Sequence, residues 1–382
     1  MRIAIVGCGY VADFYVRTLS NHPGLELVGV MDRDHNRTAR FAAYHSVSLY
    51  HSLEELLDDP KVDIVVNLTN PRSHYSVSKA SLEAGKHVYS EKPLSMVFSE
   101  AEELVELAEE RGLYLAAAPC SVLSESAQTL WQALREERIG AVRLVYAELD
   151  DGLVHRMSYQ KWQSESGSPW PYKDEFEVGC TLEHAGYSIT WLTAFFGPAK
   201  TVTAFSSCLI PDKQTDIPLE TKAPDFSVGC IEFASGVVAR LTCSIIAPHN
   251  YTLQVIGDEG ILFVNDSWNY GSPVYIKRRT PLSIRLGRYP RLATLLNLGV
   301  KKYPLVKKAD FQYSSKNKMD YSRGIAELAA AIYEGRPCRL SARYALHVNE
   351  IVLAIQNPQE MGVPRTITSS FEPIDPMPWA KA

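Results

Sequence analysis

The feature that most constrains this chain is a glycine-rich turn near its start, set between an apolar run and an amphipathic stretch. Ile3, Ala4, Ile5 and Val6 lead into Gly7-Cys8-Gly9-Tyr10-Val11-Ala12, and residues 10–19 read as a helix. A strand that is apolar at every position is one covered on both faces. A Gly-x-Gly-x-x-Ala turn after it permits a tight bend at Gly7, close approach of the backbone to a ligand at Gly9, and close helix–strand packing at Ala12. The helix amino terminus that follows presents N–H donors and partial positive charge to an anion. Gly7, Gly9, Tyr10 and Val11 are therefore the expected seat of a dinucleotide pyrophosphate.

The alternation continues for about 120 residues. Expected strands over 25–31, 64–68, 87–90 and 112–118 alternate with expected helices over 37–44, 52–57, 73–84 and 99–110. That pattern calls for a parallel, doubly wound α/β sheet. After Pro119 the character changes. A helix is expected over 126–138, then strands over 142–148, 201–206, 226–233, 237–246, 252–256 and 261–264, with helices over 180–195 and 320–333. This reads as an α+β unit around a mostly antiparallel sheet. The 382 residues exceed what one core usually holds, so two domains are expected, 1–120 and 121–382.

Composition narrows the class. A net charge of -5 argues against nucleic-acid binding. No apolar run is long enough to span a bilayer, and Met1-Arg2-Ile3 runs into a strand without an apolar leader or cleavage site. The cysteines are scattered with no Cys-x-x-Cys pair, which reads as reduced cytoplasmic thiols rather than a disulfide frame or metal site. One segment, 277–318, is strongly basic, with Asp310 its only acid and Leu282, Leu286, Leu292, Leu295, Leu296 and Leu298 interleaved. It reads as a solvated insertion. A sharper reading is contact with an anionic membrane surface or a nucleotide-sugar phosphate.

Three further points carry chemistry. Asp32 ends the second strand, about 20 residues past the glycines, where an acid accepts hydrogen bonds from the adenosine ribose. It favours NAD, while Arg33 beside it could serve a 2′-phosphate and keeps NADP open. Thr69, Asn70 and His74 follow the third strand at the carboxyl edge of the sheet, where ligands bind in such folds. Glu91-Lys92-Pro93 follows the fourth strand. A lysine there sits where cofactor and substrate meet, and its ammonium can hold a hydroxyl or carbonyl. The tripeptide turns a nucleotide-binding reading into redox chemistry on an alcohol.

The glycine turn, Asp32, the loop 69–74, Ala84-Gly85-Lys86-His87-Val88 and Glu91-Lys92-Pro93 together resemble the glucose–fructose oxidoreductase / inositol dehydrogenase / rhizopine catabolism (Gfo/Idh/MocA) family. The resemblance implies a Rossmann domain followed by an open-faced sheet domain that carries substrate and forms homo-oligomer contacts, in a dimer or tetramer. It implies NAD(P)-linked oxidation or reduction of a sugar, polyol or nucleotide sugar. It assigns the cofactor loops to Gly7, Gly9, Tyr10, Val11, Asp32, Arg33, Thr69, Asn70, His74, Glu91 and Lys92. The family's second signature, Gly-Gly-x-Leu-x-Asp-x-Gly-x-His, aligns with 178–187 and places Glu183 at the aspartate and Tyr187 at the histidine. Lys92, Glu183 and Tyr187 are then the expected catalytic group, with Lys92 drawing the phenol's pKa down from about 10. His184 is the alternative should the alignment be offset. Two other readings stay open: a glycosidase that uses NAD transiently, and a cofactor-bound regulator without turnover.

Overall fold

The structure is a computed structural model, and it describes residues 1–289, 291, 299–306 and 318–381. Five strands form the first sheet: β1 (Arg2–Val6), β2 (Glu26–Met31), β3 (Ile64–Asn67), β4 (His87–Ser90) and β5 (Leu115–Ala117). Their order is β2-β1-β3-β4-β5 and every neighbouring pair is parallel. Helices α1 (Ala12–Leu19), α2 (His35–His45), α3 (Leu53–Asp58), α4 (His74–Glu83) and α5 (Phe98–Glu110) connect them. The apolar runs explain the layering, since β3 is buried at all its positions and β1 at all but Arg2. Caps fix two helix starts: the Asp34 side chain accepts from the N–H of Asn36 and Arg37, and Ser52 accepts from that of Glu55.

Strand order reverses at β1, which has β2 on one side and β3 on the other. The crevice outside the carboxyl ends of the strands opens at such a switch point. The turns after β1 and β3 touch there. Gly7 has φ +101, and a Cβ on it would lie 2.5 Å from the Leu68 carbonyl oxygen. Only glycine fits that position. Gly9 has nothing within 4 Å of the equivalent point, so its side toward the crevice stays open.

Beyond α6 (Glu125–Arg135) comes the second sheet. Its strands are β6 (Val142–Asp150), β7 (Ala199–Ser207), β8 (Phe226–Phe233), β9 (Val238–Ser244), β10 (Leu253–Gly257), β11 (Gly260–Val264), β12 (Val274–Arg278), β13 (Lys301–Tyr303) and β14 (Arg365–Thr366). They lie in the order β13-β12-β11-β10-β6-β9-β8-β7-β14, antiparallel throughout except for β6 beside β9. Helices α7 (Tyr172–Val178), α8 (Gly186–Phe196), α9 (Arg323–Glu334) and α10 (Ala342–Gln356) complete this half, and α10 packs on one face of the sheet against β7 and β8. The other face leaves Leu144, Tyr146, Phe205 and Val238 exposed. No helix among the described residues is long and apolar enough to cross a membrane.

Two elements depart from the sequence expectation. Helix α10 was not anticipated. Every residue from Tyr344 to Gln356 is buried, so the stretch has no polar face to mark a helical period. It packs Ala345 and Leu346 with Val88 and Leu115 of the first sheet and Leu104 of α5, and Ile351 and Ile355 with the core of the second. The basic segment is also more than an insertion, because its start and part of its middle are strands. β13 pairs antiparallel with β12, so Lys301 and Lys302 lie on a sheet edge, where lysines discourage further strand pairing. Leu292, Leu295, Leu296, Leu298, Lys307, Lys308, Asp310 and Lys316 lie outside the described residues.

A buried ion pair ties α9 to α6. Arg323 on α9, 5% exposed, donates to Glu125 on α6 at 3.1 Å and to Asp320 at 3.3 Å. Removing one partner of such a pair strands the other charge. Glu125→Ala is expected to cost about 3–5 kcal/mol, read as a lower urea midpoint; an unchanged midpoint would show that the pair is not structural.

Candidate active site

The carboxyl ends of β1 to β4 each deliver one part of the site. After β1, the glycine turn donates the Cys8 N–H to Asp32 Oδ2 at 2.9 Å. After β2, Asp32 also accepts from the Asp34 N–H at 2.9 Å and pairs with Arg37 at 3.3 Å. Asp34, not Asp32, is the helix cap, so the Asp32 carboxylate is held at the edge of the crevice. After β3, His74 is 1% exposed and sets its ring nitrogens against Pro93 O at 2.7 Å and Thr69 O at 3.0 Å. Burial lowers its pKa. A neutral ring donates to one of those carbonyls, and the histidine braces the Thr69 loop against the turn after β4. Asn70 Oδ1 is buried without a hydrogen-bond partner.

After β4, Glu91 accepts from the Tyr15 hydroxyl at 2.7 Å and from the Lys92 N–H at 2.9 Å. Those bonds hold the turn that projects Lys92. Its Nζ donates to Glu183 Oε2 at 2.5 Å. Burial opposes the charge on Lys92, but Glu183 and Glu91 outweigh it and raise its pKa. Burial raises the pKa of Glu183 against the pull of Lys92.

Glu183 stands on a π-helical turn, Thr181–Ala185, that runs directly into α8. Such turns concentrate at functional sites. The expected single helix over 180–195 is therefore two geometries. In a regular α-helix His184 would point about 100° away from Glu183; here both line the same cavity. His184 Nε2 lies 2.6 Å from Glu175 Oε1 and 3.1 Å from Asp151 Oδ2. Burial disfavours its charge, but Asp151 and Glu175 more than offset that and raise its pKa to about 10. The imidazole is thus an imidazolium at neutral pH.

Tyr187 is 7% exposed and stacks on Trp268 with ring centroids 4.2 Å apart. Trp268 in turn stacks on Tyr251 at 5.0 Å. Burial pushes the phenol well above its ordinary pKa, with nearby Tyr321 and Glu91 adding to the rise. Lys92, matched to Glu183, does not by itself draw the phenol down, and desolvation prevails.

A tongue from the second half completes the wall. The Ser168 hydroxyl donates to Cys8 O at 3.0 Å, and the Ser166 hydroxyl donates to Asp13 at 2.8 Å, while Glu165 pairs with Arg17. The tongue lies across the glycine turn and brings Pro169, Trp170 and Pro171 to the crevice.

Together these elements enclose a cavity of about 640 Å³, within the range of ligand sites. Gly7, Gly9, Tyr10, Val11, Asp32, Arg33, Thr69, Asn70, His74, Glu91, Lys92, Glu183, His184 and Tyr187 all line it. So do Glu175 and, from outside the stretches that sequence reasoning singled out, Arg37, Trp268 and Tyr321. Arg37 could have been found from its place on the first turn of the helix after Asp32. Trp268 lies in the connection between β11 and β12, and no sequence pattern marks it.

An open glycine turn at a helix amino terminus, an acid after β2 and an orphaned amide on the β3 loop fit a dinucleotide. The fold and site thus define a nucleotide-dependent redox protein. Residues 1–118 match the oxidoreductase family with an NAD-binding Rossmann fold, and 127–263 match the GFO/IDH/MocA C-terminal domain. The chain belongs to the Gfo/Idh/MocA oxidoreductase family, and its cofactor is NAD(P). A trans-1,2-dihydrobenzene-1,2-diol dehydrogenase of Mus musculus is 28% identical over 273 residues, 70% of this chain and 75% of that one. The fold is shared with an NAD binding oxidoreductase from Klebsiella pneumoniae, with TM-score 0.77 and 18% identity over 97% of this chain and 99% of that one. It is also shared with the WlbA dehydrogenase from Bordetella pertussis, solved with NADH and UDP-GlcNAcA, with TM-score 0.71 and 16% identity over 96% and 98%.

The His184 cluster has a consequence for stability. Unfolded, the imidazole loses its proton near pH 6.5; folded, it does so at about 10. The stabilisation is fully present below the lower value and is lost as pH rises through the upper one. Urea midpoints of the wild type should fall relative to those of His184→Asn across that window. Parallel curves for the two proteins would show that the ring is not held as a cation.

Proposed function

We propose that the chain is an NAD(P)-dependent dehydrogenase or ketoreductase acting at a carbinol carbon of a sugar, polyol or nucleotide sugar. The observation that carries this reading is the buried Lys92–Glu183 contact, set in one cavity with Tyr187 and the dinucleotide turn. The dihydrodiol dehydrogenase name of the mouse relative and the nucleotide sugar bound to the Bordetella neighbour support the substrate class. In this reading residues 1–120 hold the cofactor, and 121–382 bring the substrate to it.

Gly7, Gly9, Tyr10 and Val11 would hold the pyrophosphate, Asp32 the ribose, and Thr69, Asn70 and His74 the nicotinamide side. When bound, the cofactor supplies or accepts the hydride. Lys92 donates hydrogen bonds to the substrate oxygen and stabilises alkoxide character as it develops. Glu183 fixes the ammonium in place. Tyr187 moves the hydroxyl proton. Its raised pKa keeps it protonated at neutral pH, the form that delivers a proton to a carbonyl undergoing reduction. Oxidation needs the phenolate and gains from higher pH. The retained Lys92–Glu183 pair weighs against a non-catalytic regulator, because a binder of cofactor alone has no use for it.

An absorbance screen of NAD(H) and NADP(H) against polyols, aldoses and nucleotide sugars tests the assignment. Lys92→Ala should lower kcat/KM by about 10²–10³-fold and leave NAD affinity unchanged; full activity in that variant would sink the role given to Lys92. NAD should be preferred over NADP, since a 2′-phosphate would meet the Asp32 carboxylate. Asp32→Ser should shift the NAD/NADP ratio toward NADP by roughly tenfold, measured from the two Kd values, and an unmoved ratio would place the ribose elsewhere.

A further inference from the structure

We propose that Asp151, His184 and Glu175 set the charge the substrate end accepts, so that this chain selects an uncharged polyhydroxylated substrate over its carboxylate or phosphate counterpart. This deepens the redox reading above and rests on it. Among the described residues, two cations line the Lys92 end of the cavity, Lys92 and His184. Neither is left for a substrate anion. Lys92 Nζ is 2.5 Å from Glu183, and His184 Nε2 is 2.6 Å from Glu175 and 3.1 Å from Asp151. Glu183, Glu175, Asp151 and Glu91 thus outnumber the two cations, and negative charge is in excess at this end.

The other cations are committed or distant. Arg33 and Arg37 lie at the ribose end, next to Asp32, with Arg37 3.3 Å from its carboxylate. Arg72 is bound to Asp174 at 3.0 Å and Glu177 at 3.1 Å. A neutral hydroxyl can still share the protons of the Lys92 ammonium, whereas a carboxylate or phosphate brought to this end would meet like charge in a poorly solvated pocket. Trp170, Tyr187, Trp268 and Tyr321 add apolar ring surface to the same cavity, which suits the C–H surface of a sugar or cyclic diol better than a solvated anion.

The test uses matched pairs, glucose with glucuronate, glucose with glucose 6-phosphate, and trans-cyclohexane-1,2-diol with its 4-carboxylate. Two quantities are measured: kcat/KM with NAD, and Kd by calorimetry on the cofactor-free protein. The neutral member should win by about tenfold or more in each pair. Asp151→Asn/Glu175→Gln, which removes two carboxylates and lets the imidazole go neutral, lowers the negative charge of this end and should move both ratios at least about tenfold toward the carboxylate while NAD affinity holds. Asp151→Asn alone, behind the cavity wall, should move them the same way and serves if the double variant does not fold. Preference for glucuronate or glucose 6-phosphate in the wild type overturns the proposal. Equal losses on both members of a pair, which a merely structural cluster would give, overturn it too. Failure of every compound to bind or turn over while NAD still binds defeats the redox reading itself.

Discussion

The site depends on one contact between two charges that neither half of the molecule could hold alone. Lys92 comes from the turn after β4, and Glu183 from the π-turn before α8. Their side chains are 18% and 10% exposed. Stripping water from either ion costs several kcal/mol, and only close placement of the opposite charge offsets it. The bonds around the pair serve that placement. Glu91 anchors the turn to Tyr15 on α1, and His74 braces the loop beside it. The π-turn brings Glu183 and His184 to one cavity, which a regular α-helix would not do for adjacent residues.

Burial acts with opposite sign on the groups around this contact. It lifts the Tyr187 phenol and the Glu183 carboxyl, and it works against the charge on Lys92 and His184. Where a carboxylate lies within hydrogen-bond reach of the cation, the electrostatic attraction prevails. Where none does, as at the phenol, desolvation prevails. One pocket can therefore hold charged ammonium and imidazolium groups beside a neutral tyrosine. Such divergence between neighbouring groups is how acid and base roles are separated in a confined site.

Much of this was legible in the chain itself, for a physical reason. Gly7, Asp32 and Lys92 follow strands whose apolar runs mark them as buried, and strand ends in a parallel sheet have few places to go. The nine-stranded sheet was harder to read to its edges. β12 and β13 carry lysines and arginines, β13 has three residues and β14 two, so hydrophobic period says little there. Helix α10 was invisible because burial on all sides erased its period. Arg37, Glu175 and Trp268 reach the cavity from distant points of the sequence, and their proximity belongs to the tertiary structure. The effect of burial on Tyr187 was not legible, because distance to a lysine can be guessed from motifs, whereas the depth of burial cannot.

Helix α10 also bears on how such a molecule is made. Ala345 and Leu346 fill the core formed by β4, β5 and α5, and Ala116 on β5 bridges to Ser341 just before the helix. The nucleotide-binding unit is therefore encoded first and finished last. While the chain emerges from a ribosome, the flank of that unit bearing Val88, Leu104 and Leu115 waits for residues made more than two hundred positions later. An apolar face left open for so long is a hazard for aggregation. A fragment ending near residue 120 would carry an unsealed edge.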